Sequence, residues 1–494
     1  MLIKIKEFVL KYYMYLILAA LIYQPIFGHL GTLPIRPWDE ARLAINAYEM
    51  YKNGDYIVTH FDGTPEMWNT KPPLLIWMQV LFMKLIGVNE LSVRLPSAFA
   101  AFFTCLALLI FFVKYLKQFW FAFISVIVLV TIDGYIDYHA TRTGDYDSLL
   151  TLLTTVSGLF FFIFIEKKEN KYLYLFFIST ALAVLTKSVQ GLLFIPAIGI
   201  YCLWQKEFLP IIKNKHFYLG LISFLIISLS YYWIREIYNP GYIKSVFENE
   251  LGGRYLVTQG LHAKGFWYYY SLLLEYQLKE WYLLVPCGIL IGFSILNDKI
   301  NKITLFSTLM VLTYFLVVSN SQTKTEWYDV PLFPFLSILI SIFIYYIFDV
   351  LRNVKIINYS LSRNWLHFIF MFLILILPYQ KIIQKTYIPK EYSWNVEFFE
   401  IGHYLKDAVK EKHSVNNYFL LYDGYNAHNK FYLNILNDNG VKIEFKDWTN
   451  LNDGDKVIVC QQNVKEYINN NYLYEVIENI NNISKYRIIS KINK

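Results

Sequence analysis

The 494-residue chain is 56% hydrophobic and 19% aromatic, and only 17% of its residues are charged. With a mean hydropathy of +0.35, that composition excludes an ordinary soluble domain and reads as a polytopic membrane protein. The net charge of +7 needs no nucleic acid to explain it, because Lys and Arg gather in short loops between apolar runs.

The first run, residues 8 to 28, follows Lys4 and Lys6 and has no small-residue cleavage site, so it reads as an uncleaved spanning helix. Further spans are predicted at 95–113, 119–133, 148–165, 172–186, 189–204, 217–234, 281–296, 303–318, 330–348 and 365–378. The run at 73–87 decides topology. Omitting it leaves about eleven spans and puts the basic loops around Lys114, Lys171, Lys213, Lys299 and Arg352 on the side of the basic N-terminus, as the positive-inside rule favours. Residues 73–87 are therefore read as a helix lying at the outer interface, with Pro72 and Pro73 at its start, where a missing amide proton costs nothing. Cys105, Cys202 and Cys287 fall in apolar runs and Cys460 stands alone, so no disulfide framework is implied.

That parity collects a chemical set outside. The loop 29–94 holds Asp39, Glu40 and Lys71, and the loop 134–147 holds His139, Arg142, Asp145 and Asp147. Lys187 lies between two spans, the long loop 235–280 carries Arg254, His262 and Lys264, and S-Q-T-K-T-E-W-Y-D carries Lys324, Tyr328 and Asp329. Carboxylates can take a proton from an acceptor hydroxyl or amine, and Lys and Arg can bind a phosphate leaving group. Both on one face of a membrane protein point to chemistry on a phosphate-bearing lipid.

At these residues the chain resembles a known family. P-W-D-E-A-R, W-N-T-K-P-P-L, R-L-P-S-A, R-T-G-D-Y-D-S-L-L, L-T-K-S and K-T-E-W-Y-D-V-P-L-F-P, in that order over roughly residues 8 to 350, resemble the GT-C class of integral-membrane glycosyltransferases. The nearest kin are the bacterial aminoarabinose transferases of lipid A and the protein mannosyltransferases. The resemblance implies inverting transfer of a sugar from a polyprenyl-phosphate donor to lipid A, protein or surface glycan on the outer face of the cytoplasmic membrane. By it, Asp39 matches the essential first-loop acid, with Glu40 beside it, and Asp147 or Asp145 the second-loop acid. Lys71 matches the lysine of the K-P-P motif. Lys71, Arg142, Lys324 and Lys187 form the expected donor-phosphate set, and His262 and Tyr328 the substrate-binding pair. Thr70 stands where some aminoarabinose transferases carry a metal-linked Glu, and His262 matches the other ligand. No cofactor is therefore assigned, and a divalent metal stays open.

Structural readings compete at each position. Asp39 can cap the helix that follows it, Glu40 can pair with Arg36 or Arg42, and Lys71 and Lys187 can be snorkelling anchors. Arg142 with Asp145 and Asp147 can be an ion pair with a helix cap. At the level of function, the alternatives are a transporter or flippase of lipid-linked sugars, which calls for ionisable residues near the midplane and repeated halves, and a polymerase or ligase of surface polysaccharide. Residues 1–378 are taken as the membrane domain and 379–494 as a small extracytoplasmic α/β domain, with strands at 418–422, 441–445 and 456–460 and a helix over 397–410. It carries no nucleotide-binding motif.

Overall fold

The computed structural model describes residues 2–256, 263–353, 365–391 and 396–492. Its helices are α1 (Leu2–Phe27), α2 (Asp39–Asn53), α3 (Leu74–Ile86), α4 (Glu90–Tyr115), α5 (Phe119–Val130), α6 (Tyr146–Lys167), α7 (Asn170–Lys187), α8 (Ile195–Trp204), α9 (Phe208–Lys213) and α10 (Lys215–Tyr238). After α10 come α11 (Tyr242–Val246), a wider π-type stretch over Phe247–Leu256, α12 (Tyr268–Leu272), α13 (Leu284–Ser294), α14 (Asp298–Asn320), α15 (Phe333–Asn353) and α16 (Leu366–Tyr387). A short hairpin, β1 (His60–Phe61) with β2 (Thr64–Pro65), interrupts the segment between α2 and α3.

Among the described residues, seven helices are long and apolar enough to cross a membrane: α4, α6, α7 with its following turn, α10, α14, α15 with its preceding turn, and α16. Shorter apolar helices at Tyr12–Phe27, α5, α8 and α13 fill the remaining predicted spans. α3, read from the sequence as an interfacial helix, is 13 residues long, no shorter than the helices α5, α8 and α13 that stand at predicted spans. Its Leu75, Ile76, Val80 and Met83 are buried in a cluster shared with α2. The spanning helices pack closely: a Cβ on Gly288 of α13 would lie 1.9 Å from the Leu339 carbonyl oxygen of α15, so only glycine permits that approach.

The predicted boundary at 378 falls inside α16, whose helix runs on to Tyr387. Beyond it come α17 (Val396–Val409), β3 (Tyr418–Leu421), α18 (Ala427–Asp438), β4 (Ile443–Phe445), β5 (Lys456–Val459), α19 (Gln462–Asn471), β6 (Tyr472–Ile480) and β7 (Ile483–Lys491). The sheet order is β4-β3-β5-β7-β6. β3 runs parallel to β4 and β5, while β7 runs antiparallel to β5 and β6. This unit sits on the first loop, and its buried Ile401, Leu405 and Phe431 join the same apolar cluster as Ile35, Leu43 and Leu75. Polar ties fix the seat: the Tyr432 hydroxyl donates to Glu90 at 2.7 Å and accepts from the Ile35 amide at 2.9 Å, and the Tyr48 hydroxyl donates to Asp438 at 2.9 Å.

Candidate active site

Asp39 opens α2, so its carboxylate lies in the first turn, at the positive end of that helix. Unlike its acidic neighbours it is open to solvent, with a side chain 54% exposed. The residue before it, Trp38, has φ 70°, a left-handed backbone that bulky residues rarely adopt. A ring from the C-terminal unit holds Trp38 there. Tyr425 stacks on the indole at 4.9 Å and 6°, and its hydroxyl donates to the Trp38 carbonyl at 3.3 Å.

Facing Asp39 is His139, whose own φ is 60°. Its Nδ1 lies 3.8 Å from an Asp39 oxygen and in close hydrogen-bonded contact with Asp145, and its ring stacks on Trp327 at 3.6 Å. Asp145 is also the N-cap of α6, accepting from the Tyr146 amide at 2.7 Å. Burial opposes ionisation of Asp145, but His139 holds it below the ordinary aspartate value; burial likewise opposes charge on His139, and Asp145 and Asp39 raise its pKa regardless. Ligand atoms of Asp39, His139 and Asp145 all lie within 4.8 Å of one another.

Two lysines complete the cleft. Lys187, the last residue of α7, donates to both oxygens of Asp147 at 2.5 and 2.7 Å, and its ammonium stands 5.1 Å from the Tyr328 ring. Asp147 is in the first turn of α6, and the two side chains are 1% and 3% exposed, so this is a buried pair at the ends of two spans. Lys71 is also buried; it meets Glu250 at 3.1 Å and the Tyr146 ring at 5.6 Å. Asp39, Lys71, Asp145, Lys187 and Tyr328 line one narrow cleft of about 30 Å³, closed over by Trp68 and Trp327.

Other predicted site residues lie elsewhere. Glu40 points away from the cleft. Arg94 donates to its two oxygens at 2.7 and 2.9 Å, and the amides of Arg36 and Gly144 donate at 2.8 and 2.9 Å. Burial works against its charge, yet Arg94 and these amides keep it below the usual glutamate range, so Glu40 anchors the loop and has no free lone pair facing the cleft. Its ion-pair partner is neither the Arg36 nor the Arg42 guanidinium, since Arg36 pairs with Glu391 at 3.2 Å and Arg42 with Glu66 at 2.8 Å. Arg142 turns to the C-terminal end of α1, donating to the carbonyls of Pro25, Ile26 and Gly28 at 3.1, 3.3 and 2.7 Å. Lys324 donates to the carbonyls of Ser321 and, at 3.1 Å, Lys264, and does not line the cleft. His262 lies outside the described residues.

His139 belongs to the ionisable loop set read from the sequence, but that reading gives it no role. The available signal was its spacing: six residues before Asp145, in a loop that also holds Asp137, Arg142 and Asp147, it has to fold back for its ring to meet that carboxylate. Trp327, Glu250 and Tyr425 gave no comparable signal, because each comes from a distant segment and an aromatic near a span end reads as interface belt.

Residues 70–233 match the family model of the dolichyl-phosphate-mannose-protein mannosyltransferases. The chain is similar to an undecaprenyl phosphate-alpha-4-amino-4-deoxy-L-arabinose arabinosyl transferase of Shewanella sediminis, 27% identical over 325 residues, which is 63% of this chain and 56% of that protein. Its structure is similar to that of ArnT from Cupriavidus metallidurans bound to undecaprenyl phosphate, with TM-score 0.69 at 14% identity over 96% of this chain and 98% of that one. The oligosaccharyltransferase of Archaeoglobus fulgidus is similar at TM-score 0.54 and 10% identity, over 88% of this chain and 65% of that one. The GT-C-like membrane fold with a small C-terminal sheet unit, expected from the sequence, is thus the fold found.

Proposed function

We propose that the protein is a glycosyltransferase that moves a sugar from a polyprenyl-phosphate carrier to a lipid, protein or surface-glycan acceptor, with inversion, on the extracytoplasmic face of the cytoplasmic membrane. The observation that carries this reading is one solvent-open carboxylate, Asp39, sharing a cleft with two buried lysines, Lys187 at the end of the spanning helix α7 and Lys71 in the segment before α3. An acceptor oxygen attacks the anomeric carbon as the bond from that carbon to the phosphate oxygen breaks, and the electron pair leaves with the phosphate. Asp39 receives the proton when the acceptor is a hydroxyl. Lys71 offsets the growing phosphate charge; the Glu250 carboxylate against it stands where that anion would bind. Lys187 fixes Asp147, and Asp145 orients His139.

The set Asp39, His139 and Asp145 fits a divalent cation by donor type, two carboxylates and an imidazole. A cation held there would supply Lewis-acid stabilisation of the departing phosphate. The cleft of about 30 Å³ is far below the roughly 300 Å³ of small-ligand sites, so entry of a sugar requires the rim side chains to move. A transporter fits less well, because the Asp147–Lys187 pair sits at the ends of α6 and α7 and not at their centres.

The test supplies purified protein with either a polyprenyl-phosphate sugar or a nucleotide sugar and follows transfer. Turnover from the lipid donor, lost in Asp39→Asn at unchanged melting temperature, is expected. Turnover from the nucleotide sugar alone, or a fully active Asp39→Asn protein, overturns the assignment. Mass spectrometry of lipid A, glycoproteins and surface polysaccharide from a deletion strain then identifies the acceptor.

A further inference from the structure

A much larger cavity, about 530 Å³, opens between the end of α1, the loop before α6 and the end of α16. Its wall is apolar at Leu30, Leu33, Ile136, Ile383 and Ile388, and cationic at Arg36, Arg94, Arg142, Lys385 and Lys390. Most of those charges are already matched. Arg94 is held by Glu40, Arg36 meets Glu391 at 3.2 Å, and Lys385 meets Asp137 at 2.9 Å and Asp133 at 3.6 Å.

Arg142 and Lys390 are different: among the described residues neither has a carboxylate within ion-pair distance. Arg142 spends three hydrogen bonds on the end of α1, and a guanidinium carries five N–H groups, so two remain. Burial, with Arg94 adding to it, pushes Arg142 down to about 10, the mark of a cation short of counter-charge. Burial also pushes Glu391 up to about 7, so at neutral pH this carboxyl is only partly ionised and cancels Arg36 incompletely. A positive, half-apolar chamber at the ends of two membrane helices suits an amphiphile whose anion sits at headgroup level.

We propose that this cavity is a second lipid site, separate from the Asp39 cleft, that takes the phosphate headgroup of an anionic lipid against Arg142 and Lys390 and the first part of its chain against the apolar wall. The site does not depend on the sugar-transfer reading, and it is tested with no sugar donor present. The purified protein is incubated with phosphatidic acid, phosphatidylcholine or inorganic phosphate, and bound species are counted by native mass spectrometry. Phosphatidic acid is expected to be retained over phosphatidylcholine and not to be displaced by inorganic phosphate. One interfacial cation is worth roughly 1 kcal/mol, so Lys390→Gln, at an exposed rim position, should weaken retention about fivefold.

Arg142→Gln should remove retention, but this change also uncaps α1. Ile383→Trp is therefore the second variant, since it puts a bulky ring into the apolar wall where the lipid chain would lie and leaves every charge in place. Equal retention of the two lipids, displacement by inorganic phosphate alone, or normal retention by folded Lys390→Gln and Ile383→Trp proteins overturns the proposal.

Discussion

Removing the Lys187 ammonium separates what the buried pair does for the fold from what it does for turnover. Lys187→Met keeps the aliphatic stem and strands the Asp147 carboxylate, which is 1% exposed. With contacts of 2.5 and 2.7 Å, the lost attraction is about 6 kcal/mol at an effective dielectric of about 20. The neighbourhood relaxes, and breaking one half of a buried pair costs about 3–5 kcal/mol. That is a large share of a total stability of about 5–15 kcal/mol, so a marked fall in melting temperature of the detergent-purified protein is expected. Adding Asp147→Asn to Lys187→Met removes the stranded charge and should recover at least half of the lost stability. Turnover should not return with it, because the charges that fix the cleft are gone. A single variant that melts like wild type refutes the buried-pair energetics, and a double variant with native turnover refutes a catalytic part for this pair.

Tyr425→Ala removes the ring that holds Trp38 beside Asp39, so turnover should drop several-fold while melting shifts by only about 1 kcal/mol, the worth of an aromatic pair; unchanged turnover would show that the C-terminal unit does not position the cleft. Glu40 has a lowered pKa in the fold, so its stabilisation is complete above the ordinary glutamate value of 4.5 and is lost as pH falls below it, a loss that Arg94→Met should abolish in pH-resolved melting curves. Gly288→Ala should destabilise the α13–α15 contact by about 1–3 kcal/mol, since its new methyl meets a backbone carbonyl, and a wild-type melting curve would contradict the packing. In intact cells lacking the four native cysteines, an impermeant thiol reagent should label Thr64→Cys and spare Gln118→Cys, both at exposed positions; the reverse pattern would invert the proposed topology.

The sequence by itself determined the membrane class, the places of the spans and the clustering of ionisable groups in the loops of one face. Those features follow from hydropathy and loop charge, which act along the chain and need no partner. The helix over 397–410 and the strands near 418, 441 and 456 were legible for the same reason, being local patterns of apolar residues; the long β6–β7 hairpin, whose β6 is exposed along most of its length and does not alternate, was not. Tertiary structure alone decided which members of the charged set share a cleft. Adjacent Asp39 and Glu40 differ by one residue, and a helix turns them about 100° apart, so one faces solvent while the other meets Arg94, 54 positions away. Arg142 and Asp145 sit in one loop yet serve separate cavities, because capping α1 draws the guanidinium away from the carboxylates. His139, Trp327 and Tyr425 reach the neighbourhood of Asp39 from three distant segments, and only the packing of those segments brings them there.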